Sequence, residues 1–344
     1  MLTERKDSLP AVDLFLSNQD KNKLSQALNT ISNRYTQELA PHQLADEAAK
    51  KIIQNIDSCL LSKIVEYWRT KKPPYLLFKN FISTYNLPPT PTNDITPEES
   101  GWRTQAAALL GLLKLTGYAC ASFQDEMGGR LCHMVMPAEN SEKSFLRSTK
   151  KLNFHTEVVN GYFKEEKPDI GDPLSPESLG LICLRNPDKI PTTILSLKNI
   201  LKQLPQNIIQ TLMDKNYYAQ SQSSFDRQII IDNVSVLIQL SNGSIGIRYS
   251  NSKLIGKTAI AQNALDTLHK LLNDSPDTLF LTLSPGDALI INNRNCLHGR
   301  SAISDSAKFN GNDRWLVRIY GYTEETIPFM KKKENMEHVM LLNR

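Results

Sequence analysis

Between Tyr118 and Tyr322 the chain is a series of short apolar or alternating segments separated by turn residues, and this pattern constrains the fold most strongly. Segments of this kind are typical of strands. They cover residues 130–135, 180–184, 228–240, 246–249, 279–283, 288–292 and 315–322. Two helical inserts are predicted between them, at roughly 194–214 and 258–272. Many short strands with added helices predict an α+β fold around a β-barrel or jelly roll.

The part before residue 100 has a different pattern and is predicted to be helical from residue 11 to about 85. An apolar stripe along one long helix is predicted from residues that recur every four positions: Leu44, Ala48, Ile52, Ile56, Leu60, Ile64 and Trp68. The Pro/Thr-rich stretch at 87–92 breaks the pattern, and another helix is predicted at 102–115. We therefore predict a helical N-terminal region, 1–99, and a core with helical inserts, 100–344.

The composition argues against partners that need extreme charge or long apolar segments. The 40 Lys and Arg residues nearly balance 36 Asp and Glu residues, and a net charge of +4 is too small to indicate a nucleic-acid partner. The longest apolar run, 106–113, is far shorter than the roughly 20 residues that cross a bilayer. No apolar segment follows the charged residues 1–7, so no signal peptide is expected. Five cysteines without a C-x-x-C pair favour a reduced, cytoplasmic protein.

The first candidate site residues are His155 and Glu157, in the sequence Leu-Asn-Phe-His-Thr-Glu-Val-Val. On a strand, residues two positions apart point to the same face, so this imidazole and this carboxylate are expected to point the same way. A single H-x-E pair is weak evidence, because such pairs also occur by chance.

A second candidate is His298, in the sequence Pro-Gly-Asp-Ala-Leu-Ile-Ile-Asn-Asn-Arg-Asn-Cys-Leu-His-Gly-Arg. Gly286 and Asp287 are expected to form a turn, the apolar run after them a buried strand, and His298 is expected just past the end of that strand. Two imidazoles and one carboxylate on one side of a metal leave the opposite coordination sites open, which is the arrangement of non-heme iron(II) oxygenases.

The third candidate segment is Gly-Asn-Asp-Arg-Trp-Leu-Val-Arg-Ile-Tyr, residues 311–320. Read as a strand, it places Arg314, Leu316, Arg318 and Tyr320 on one face and the apolar residues between them on the other. Arginines on an interior face need anionic partners, because an unpaired buried charge costs several kcal/mol. A guanidinium group suits a carboxylate in two-pronged geometry.

Together, in this order, the three segments resemble the clavaminate synthase-like family of iron(II)/2-oxoglutarate oxygenases, which includes asparagine and arginine hydroxylases. The resemblance covers roughly residues 100–322. It implies a double-stranded β-helix, a type of jelly roll, with Fe(II) bound by His155, Glu157 and His298. It also implies that 2-oxoglutarate and O2 are cosubstrates, with succinate and carbon dioxide formed from 2-oxoglutarate.

The same resemblance implies roles for further residues. Arg314 pairs with the distal carboxylate of 2-oxoglutarate, and Thr193 assists it, with Thr192 as an alternative. Glu126, in Gln-Asp-Glu-Met-Gly-Gly-Arg, and Arg318 are expected to contact the substrate. A carboxylate and a guanidinium in one pocket suit the two charged groups of an α-amino acid. The predicted reaction is hydroxylation of a free amino acid or a close derivative at an unactivated C–H bond.

The sequence departs from the family pattern in two places. The interval between His298 and Arg314 is two residues longer, which suggests a longer loop. Several relatives have an aspartate that binds a basic or amino group where this chain has Ser250 and Asn251. We therefore expect the substrate side chain to be neutral and polar, or apolar, rather than strongly basic.

Two alternatives from other classes remain at this stage. One is a jelly-roll binding protein without catalysis, and the other is a zinc-dependent hydrolase that uses the same His/Glu/His set. The hydrolase gives no role to Arg314 and Arg318, whereas the oxygenase uses both.

Overall fold

A computed structural model of the chain describes residues 12–32, 41–70, 73–92, 97, 100–137, 149–303 and 307–343. Residues 1–11, at the start of the predicted N-terminal region, lie outside this set. The fold combines helices and sheets, as the predicted α+β class requires. The α-helices of the described residues are α1 (Asn18–Ser32), α2 (Pro41–Asn55), α3 (Ser58–Thr70), α4 (Arg103–Leu115), α5 (Leu197–Leu201), α6 (Gln206–Met213) and α7 (Ala259–Asn273).

The strands form one large sheet, one four-stranded sheet and three small sheets. In chain order they are β1 (Val12–Phe15), β2 (Tyr75–Lys79), β3 (Ala119–Cys120), β4 (Ser122–Phe123), β5 (His133–Val135), β6 (Leu152–His155), β7 (Ser178–Arg185), β8 (Thr192–Ser196), β9 (Tyr217–Gln220), β10 (Ile230–Val234), β11 (Leu237–Gln239), β12 (Ile245–Ile247), β13 (Leu254–Gly256), β14 (Leu279–Leu281), β15 (Ala288–Asn292), β16 (Cys296–Arg300), β17 (Trp315–Tyr322), β18 (Lys332–Lys333) and β19 (Met336–Met340). The large sheet has seven strands in the order β1-β2-β15-β7-β17-β3, and β5 also pairs with β17. The four-stranded sheet has the order β14-β8-β16-β6. The small sheets are β10-β9-β13, β11-β12 and β18-β19-β4.

Strand β17 has two faces with different surroundings, which confirms the alternation predicted from the sequence. Trp315, Val317 and Ile319 belong to a hydrophobic core that includes buried residues of α1 to α4. Leu316 and Tyr320, on the opposite face, pack in a second core together with residues of the four-stranded sheet. The interior between the two sheets therefore receives the polar face of β17.

Helix α4 connects the N-terminal helices to the large sheet, and the residues from Gln105 to Leu113 are all buried. Gly111 lies against α2, and an added Cβ there would be 2.8 Å from the carbonyl carbon and the Cβ of Ala48. On the sheet side, Gly180 lies against leucine side chains of the same helix. These contacts let a helix with a continuous apolar surface fill the space between two layers.

The structure corrects three details of the predicted elements. The N-terminal region also contributes strands, because β1 pairs with β2 and β2 pairs with β15 in the large sheet. The predicted long helix is divided into α2 and α3 at Asp57, whose carboxylate accepts a hydrogen bond from the Leu60 backbone N–H at 2.8 Å. A side chain that accepts a hydrogen bond from the backbone N–H three residues later is typical of an N-cap residue, so Asp57 marks the start of a new helix.

The predicted helical insert at 194–214 begins instead with strand β8, which pairs with β14 and β16. Its sequence, Thr-Thr-Ile-Leu-Ser, is rich in β-branched residues, and pairing on both sides decides its structure. The other insert is confirmed: α7 begins after Thr258, whose hydroxyl accepts a hydrogen bond from the Ala261 N–H at 3.1 Å. Across the described ranges, none of the helices combines the length and the apolar character that a membrane span requires.

The close contact at Gly111 leads to a stability prediction. Gly111→Val adds three carbons where the backbone of α2 leaves no room, so we expect the free energy of unfolding to fall by about 1–3 kcal/mol. Lys63→Val on the exposed surface of α3 is the matched control, because it places the same residue in a helix without the contact. Denaturant unfolding of both variants measures the difference, and equal stability would contradict the packing described here.

Candidate metal centre

The structure brings His155, Glu157 and His298 together, as the sequence predicts. Strands β6 and β16 are antiparallel neighbours, and His155 is directly opposite His298 in their register. His298 lies in the middle of β16 rather than past a strand end, which corrects the sequence prediction. Glu157 follows β6 by two residues, and one carboxylate oxygen, Oε1, is 3.3 Å from His298 Nε2 and 3.9 Å from His155 Nε2. The three donor atoms lie within 4.8 Å of one another.

The protonation states of these groups suit a metal. Burial, together with the neighbouring His298, lowers the pKa of His155 to about 4, so its imidazole is neutral near pH 7. The Nδ1 atom of His155 is 2.9 Å from the Asn153 carbonyl oxygen, which places a proton on Nδ1 and leaves the Nε2 lone pair directed to the site. Burial alone would raise the pKa of Glu157, but Arg318 and the two imidazoles hold it well below its usual value. Metal ligands must be deprotonated, and His155 and Glu157 meet this requirement.

Asn293 fixes the backbone of Glu157 from the strand β15 side. The Asn293 side-chain oxygen accepts from the Glu157 N–H at 2.8 Å, and its amide nitrogen donates to the Glu157 carbonyl at 3.2 Å. The same amide nitrogen donates to the Pro176 carbonyl at 2.8 Å. A buried amide whose oxygen and nitrogen are both bonded holds the turn after β6 in one conformation.

Arg318 and Tyr320 of β17 fix the carboxylate of Glu157. Arg318 Nη1 donates to Glu157 Oε2 at 2.8 Å, and the Tyr320 hydroxyl donates to the same oxygen at 3.2 Å. Oε2 is therefore occupied by two donors, and Oε1 faces the two histidines. The orientation of the carboxylate is set by the large sheet, although its backbone follows the four-stranded sheet.

Glu126 lies in the same network, behind Arg318. Its Oε1 accepts from Arg318 Nη2 at 3.2 Å, from the Ser224 hydroxyl at 2.7 Å and from the Gln222 amide at 3.0 Å. Its other oxygen, Oε2, is buried and has no hydrogen-bond partner among the described residues. Arg318 Nη2 also donates to His133 Nδ1 at 2.6 Å, and burial lowers the pKa of His133 to about 4, so it accepts as a neutral imidazole.

Arg314 is buried near the metal-binding residues without a carboxylate partner. No acidic side chain of the described residues forms an ion pair with it, its Nε has no partner, and burial lowers its pKa to about 10. Its Nη2 donates to the Thr192 hydroxyl at 3.3 Å. A buried guanidinium with so few partners is suited to an anionic ligand.

Of the two threonines considered from the sequence, Thr192 is the one that contacts Arg314. Neighbouring residues on a strand point to opposite faces, so in β8 only one of the two threonines can face Arg314. Thr192 lines the cavity beside the metal-binding residues, whereas the Thr193 hydroxyl is directed towards Gly299 of the neighbouring strand. The order of residues along the chain does not make this distinction.

A cavity of about 300 Å3 connects these groups to the surface. Its lining contains His155, Glu157, His298, Arg314 and Arg318, together with Leu179 and Leu181 of β7. The donors for a metal and an unpaired guanidinium thus share one space, with an apolar wall from the large sheet. Two imidazoles and a carboxylate fit a divalent metal such as Fe(II), and Arg314 fits the carboxylate of a dicarboxylic acid.

The fold and this donor set define a class, the non-heme iron(II) oxygenases. Comparison with known proteins leads to the same class. A model of the family described as "Taurine catabolism dioxygenase TauD, TfdA family" matches residues 191–320, which include Thr192, His298, Arg314 and Arg318.

Individual relatives include two hydroxylase or synthase enzymes and one solved oxygenase structure. The chain is 28% identical to clavaminate synthase 2 of Streptomyces clavuligerus over 264 residues, 73% of this chain and 74% of that protein. It is 23% identical to L-lysine 3-hydroxylase of Catenulispora acidiphila over 278 residues, 77% of this chain and 72% of that protein. The crystal structure of asparagine oxygenase in complex with Fe(II), 3-hydroxyasparagine and succinate superposes with a TM-score of 0.81 at 20% identity, over 96% of this chain and 99% of that one. The resemblance to the clavaminate synthase-like family is confirmed.

Three residues of the site were not assigned from the sequence. Tyr320 lies on the same predicted strand face as Arg318, and this shared face is the signal that the sequence offers for it. Asn293 was inside the segment that contains His298. His133 lies outside the three candidate segments, and its contact with Arg318 depends on the pairing of β5 with β17, where the two residues are opposite each other.

The contact between Arg314 and Thr192 leads to a prediction about affinity for 2-oxoglutarate. Arg314→Lys keeps the charge but loses the two-pronged geometry, so KM for 2-oxoglutarate should rise about 10- to 150-fold, the range expected for a charge-assisted hydrogen bond. Thr192→Val should raise it by a smaller factor, because one weaker contact is lost. Thr193→Val is the matched control. An equal effect of the two threonine variants would refute the assignment of Thr192.

Proposed function

We propose that this protein is an iron(II)- and 2-oxoglutarate-dependent oxygenase that hydroxylates an amino acid or a close derivative at an unactivated C–H bond. The observation that carries the proposal is one cavity that holds the His155/Glu157/His298 donor set and the unpaired guanidinium of Arg314. The enzyme class and the cofactors agree with the comparisons, because the related proteins are hydroxylases and oxygenases and one related structure contains Fe(II) and succinate.

Each residue of the site has a defined task in this proposal. His155, Glu157 and His298 hold the metal through two imidazole nitrogens and one carboxylate oxygen. Arg314, assisted by Thr192, holds the distal carboxylate of 2-oxoglutarate. The bound iron and 2-oxoglutarate supply the oxidising chemistry, with O2 consumed and succinate and carbon dioxide released. The protein contributes position: Asn293, Tyr320 and Arg318 keep Glu157 in the orientation that faces the histidines.

Glu126 and Arg318 are the proposed contacts for the charged groups of the amino acid. Glu126 Oε2 and Arg318 Nε are buried and have no hydrogen-bond partner among the described residues. An ammonium group can donate to the first and a carboxylate can accept from the second. Arg318 lines the cavity and Glu126 pairs with it from behind. Buried polar atoms of this kind are costly unless something binds them, which supports a polar ligand beside Arg318.

The remaining structural predictions belong to the same proposal. The four-stranded sheet is antiparallel, and so is the large sheet apart from the parallel β1–β2 pair. With the site between them, these two sheets support a double-stranded β-helix core. The proposed site residues all follow residue 100, which supports a division into a helical N-terminal region, 1–99, and an oxygenase core, 100–344. The five cysteines are unpaired, which supports a cytoplasmic location. The proposal also includes a small-molecule substrate as the partner, and neither nucleic acid nor a membrane.

The metal site is tested by replacing His155, Glu157 or His298 with Ala one at a time. Each variant should lose one of three ligands, so we expect Fe(II) binding to weaken at least tenfold and succinate formation to fall to background. Isothermal titration with Fe(II) and a succinate assay are the measurements. Circular dichroism establishes that each variant is folded.

His269, which bonds to Tyr249 away from the cavity, provides the matched control as His269→Ala. If all three ligand variants kept the parent rate of succinate formation, the metal assignment would be wrong. Zinc-supported hydrolysis without consumption of 2-oxoglutarate would favour the hydrolase alternative. Ligand binding without any turnover would favour the binding protein.

The substrate class is tested with a panel of free amino acids, including arginine and lysine, in the presence of Fe(II), ascorbate and 2-oxoglutarate. Mass spectrometry should find one product that has gained a single oxygen atom, with succinate formed in equal amount. If every amino acid is inert while a compound without the ammonium and carboxylate groups is oxidised, Glu126 and Arg318 serve another purpose.

A further inference from the structure

The outer part of the cavity is built from two chain segments next to the metal-binding residues. Lys151 and Asn153 belong to the first, at the start of β6. The second is the turn of residues 250–253, before β13, and all four of its residues line the cavity. Ser250 pairs with His155 in a β-bridge, and the Thr156 N–H donates to the Tyr249 carbonyl at 2.8 Å. Both segments are therefore held beside the metal-binding residues.

The charges that line this cavity are mostly positive. Among the described lining residues, five side chains are cationic and Glu157 is the one carboxylate; the cations are Lys151, Lys253, Arg300, Arg314 and Arg318. Glu157 already pairs with Arg318, and Arg314 is accounted for by 2-oxoglutarate. Fe(II) and 2-oxoglutarate carry opposite charges of equal size, so their binding leaves the excess of positive charge in the cavity unchanged.

Among the described residues, no carboxylate pairs with the two lysines at the outer end. Neither Lys151 nor Lys253 forms an ion pair with an acidic side chain within the described part of the chain. The other groups around them are hydroxyls and amides, such as Ser223, Ser252 and Asn251, which can all donate hydrogen bonds. Donors and positive charges on low-dielectric walls concentrate an electrostatic field that attracts anions and repels cations.

We propose that the amino-acid substrate carries an anionic group, a carboxylate or a phosphate, at the end of its side chain, and that Lys151 and Lys253 bind that group. The inference rests on the proposed function and names the substrate class of the same site. It replaces the expectation of a neutral or apolar side chain, because that expectation used the absence of an acid at Ser250 and Asn251 but not the two lysines. A neutral side chain leaves both lysines without a counter-charge, and a basic one meets repulsion.

The first experiment compares two isosteric pairs, aspartate with asparagine and glutamate with glutamine, and a third pair, O-phosphoserine with serine, that differs by the phosphate group. Succinate formation and the gain of one oxygen atom are followed at several concentrations, so that KM and kcat are separated. In at least one pair, the acidic member should have the lower KM, by about 4- to 25-fold if each lysine contributes up to 1 kcal/mol. The carboxylate and phosphate pairs distinguish the two possible anions.

The second experiment changes the lysines. Lys151→Gln and Lys253→Gln should each raise KM for the preferred acidic substrate about 2- to 5-fold, and KM for its neutral partner should change less. Raising the salt concentration should increase KM for the acidic member more than for the neutral one, because salt screens exposed charges. Lys63→Gln on α3 removes the same charge far from the cavity. It should leave KM for the acidic substrate and KM for its neutral partner unchanged.

The outcomes separate this inference from the proposed function. A preference for the neutral members of the pairs, or for lysine or arginine in the wider amino-acid panel, with succinate still formed, overturns the inference and leaves the oxygenase in place. A preference for acidic members that the two lysine variants do not reduce overturns the assignment of Lys151 and Lys253. If 2-oxoglutarate is converted but no amino acid is oxidised, the amino-acid class and this inference both fall. Failure to bind Fe(II) or to form succinate at all overturns the proposed function itself.

Discussion

The pairing of Arg318 with the two buried carboxylates of Glu157 and Glu126 is the interaction on which the site depends. All three side chains are almost completely buried, and charges in such a position are stable only together. Removing one member leaves an uncompensated charge, at a cost of about 3–5 kcal/mol. The pairing also joins the two sheets, because Arg318 belongs to the large sheet and Glu157 follows a strand of the four-stranded one. The same contact therefore stabilises the interior and aims a carboxylate at the two histidines.

Strand register brings the two histidines and Arg318 to the same interior space. In the four-stranded sheet, His298 is opposite His155 on one side and Ile194 on the other, so β16 presents its imidazole between two neighbours. In the large sheet, alternation along β17 places Arg318 in the interior and Trp315 against the helices. A slip of one residue in either strand would exchange these faces. The large apolar residues on the outer face of β17 thus keep the charged ones in place.

These relations explain which parts could be predicted from the sequence. The faces of β17 and the His155/Glu157 pair depend on spacing within a short segment, and alternation is enough to predict them. The boundaries of α7 could be predicted because Thr258 is a local capping signal. The choice of Thr192 over Thr193 could not be predicted. It depends on which face of β8 meets Arg314, and Arg314 lies more than 120 residues later along the chain. The contact of His133 with Arg318 likewise depends on pairing between β5 and β17.

The division of the predicted long helix into α2 and α3 also shows what an apolar pattern leaves undecided. The four-residue spacing continues through Ile56 and Leu60, and it is compatible with one helix or with two. Asp57 decides between them, because its carboxylate satisfies a backbone donor that only a helix start leaves free. A periodic pattern predicts which side of a helix is buried, but a single polar side chain predicts where the helix begins.

The interior and the outer part of the cavity differ in how strongly their residues depend on one another. Glu157, Arg318, Tyr320 and Asn293 are buried and bonded to each other, so a change in one disturbs the rest. Lys151, Asn153 and Asn251 are exposed and do not belong to that network. Residues at the outer part can therefore vary without loss of the interior, and substrate preference can change while the chemistry of the metal site is kept. For this reason the inner residues indicate the class of reaction, and the outer charges are the appropriate guide to the substrate.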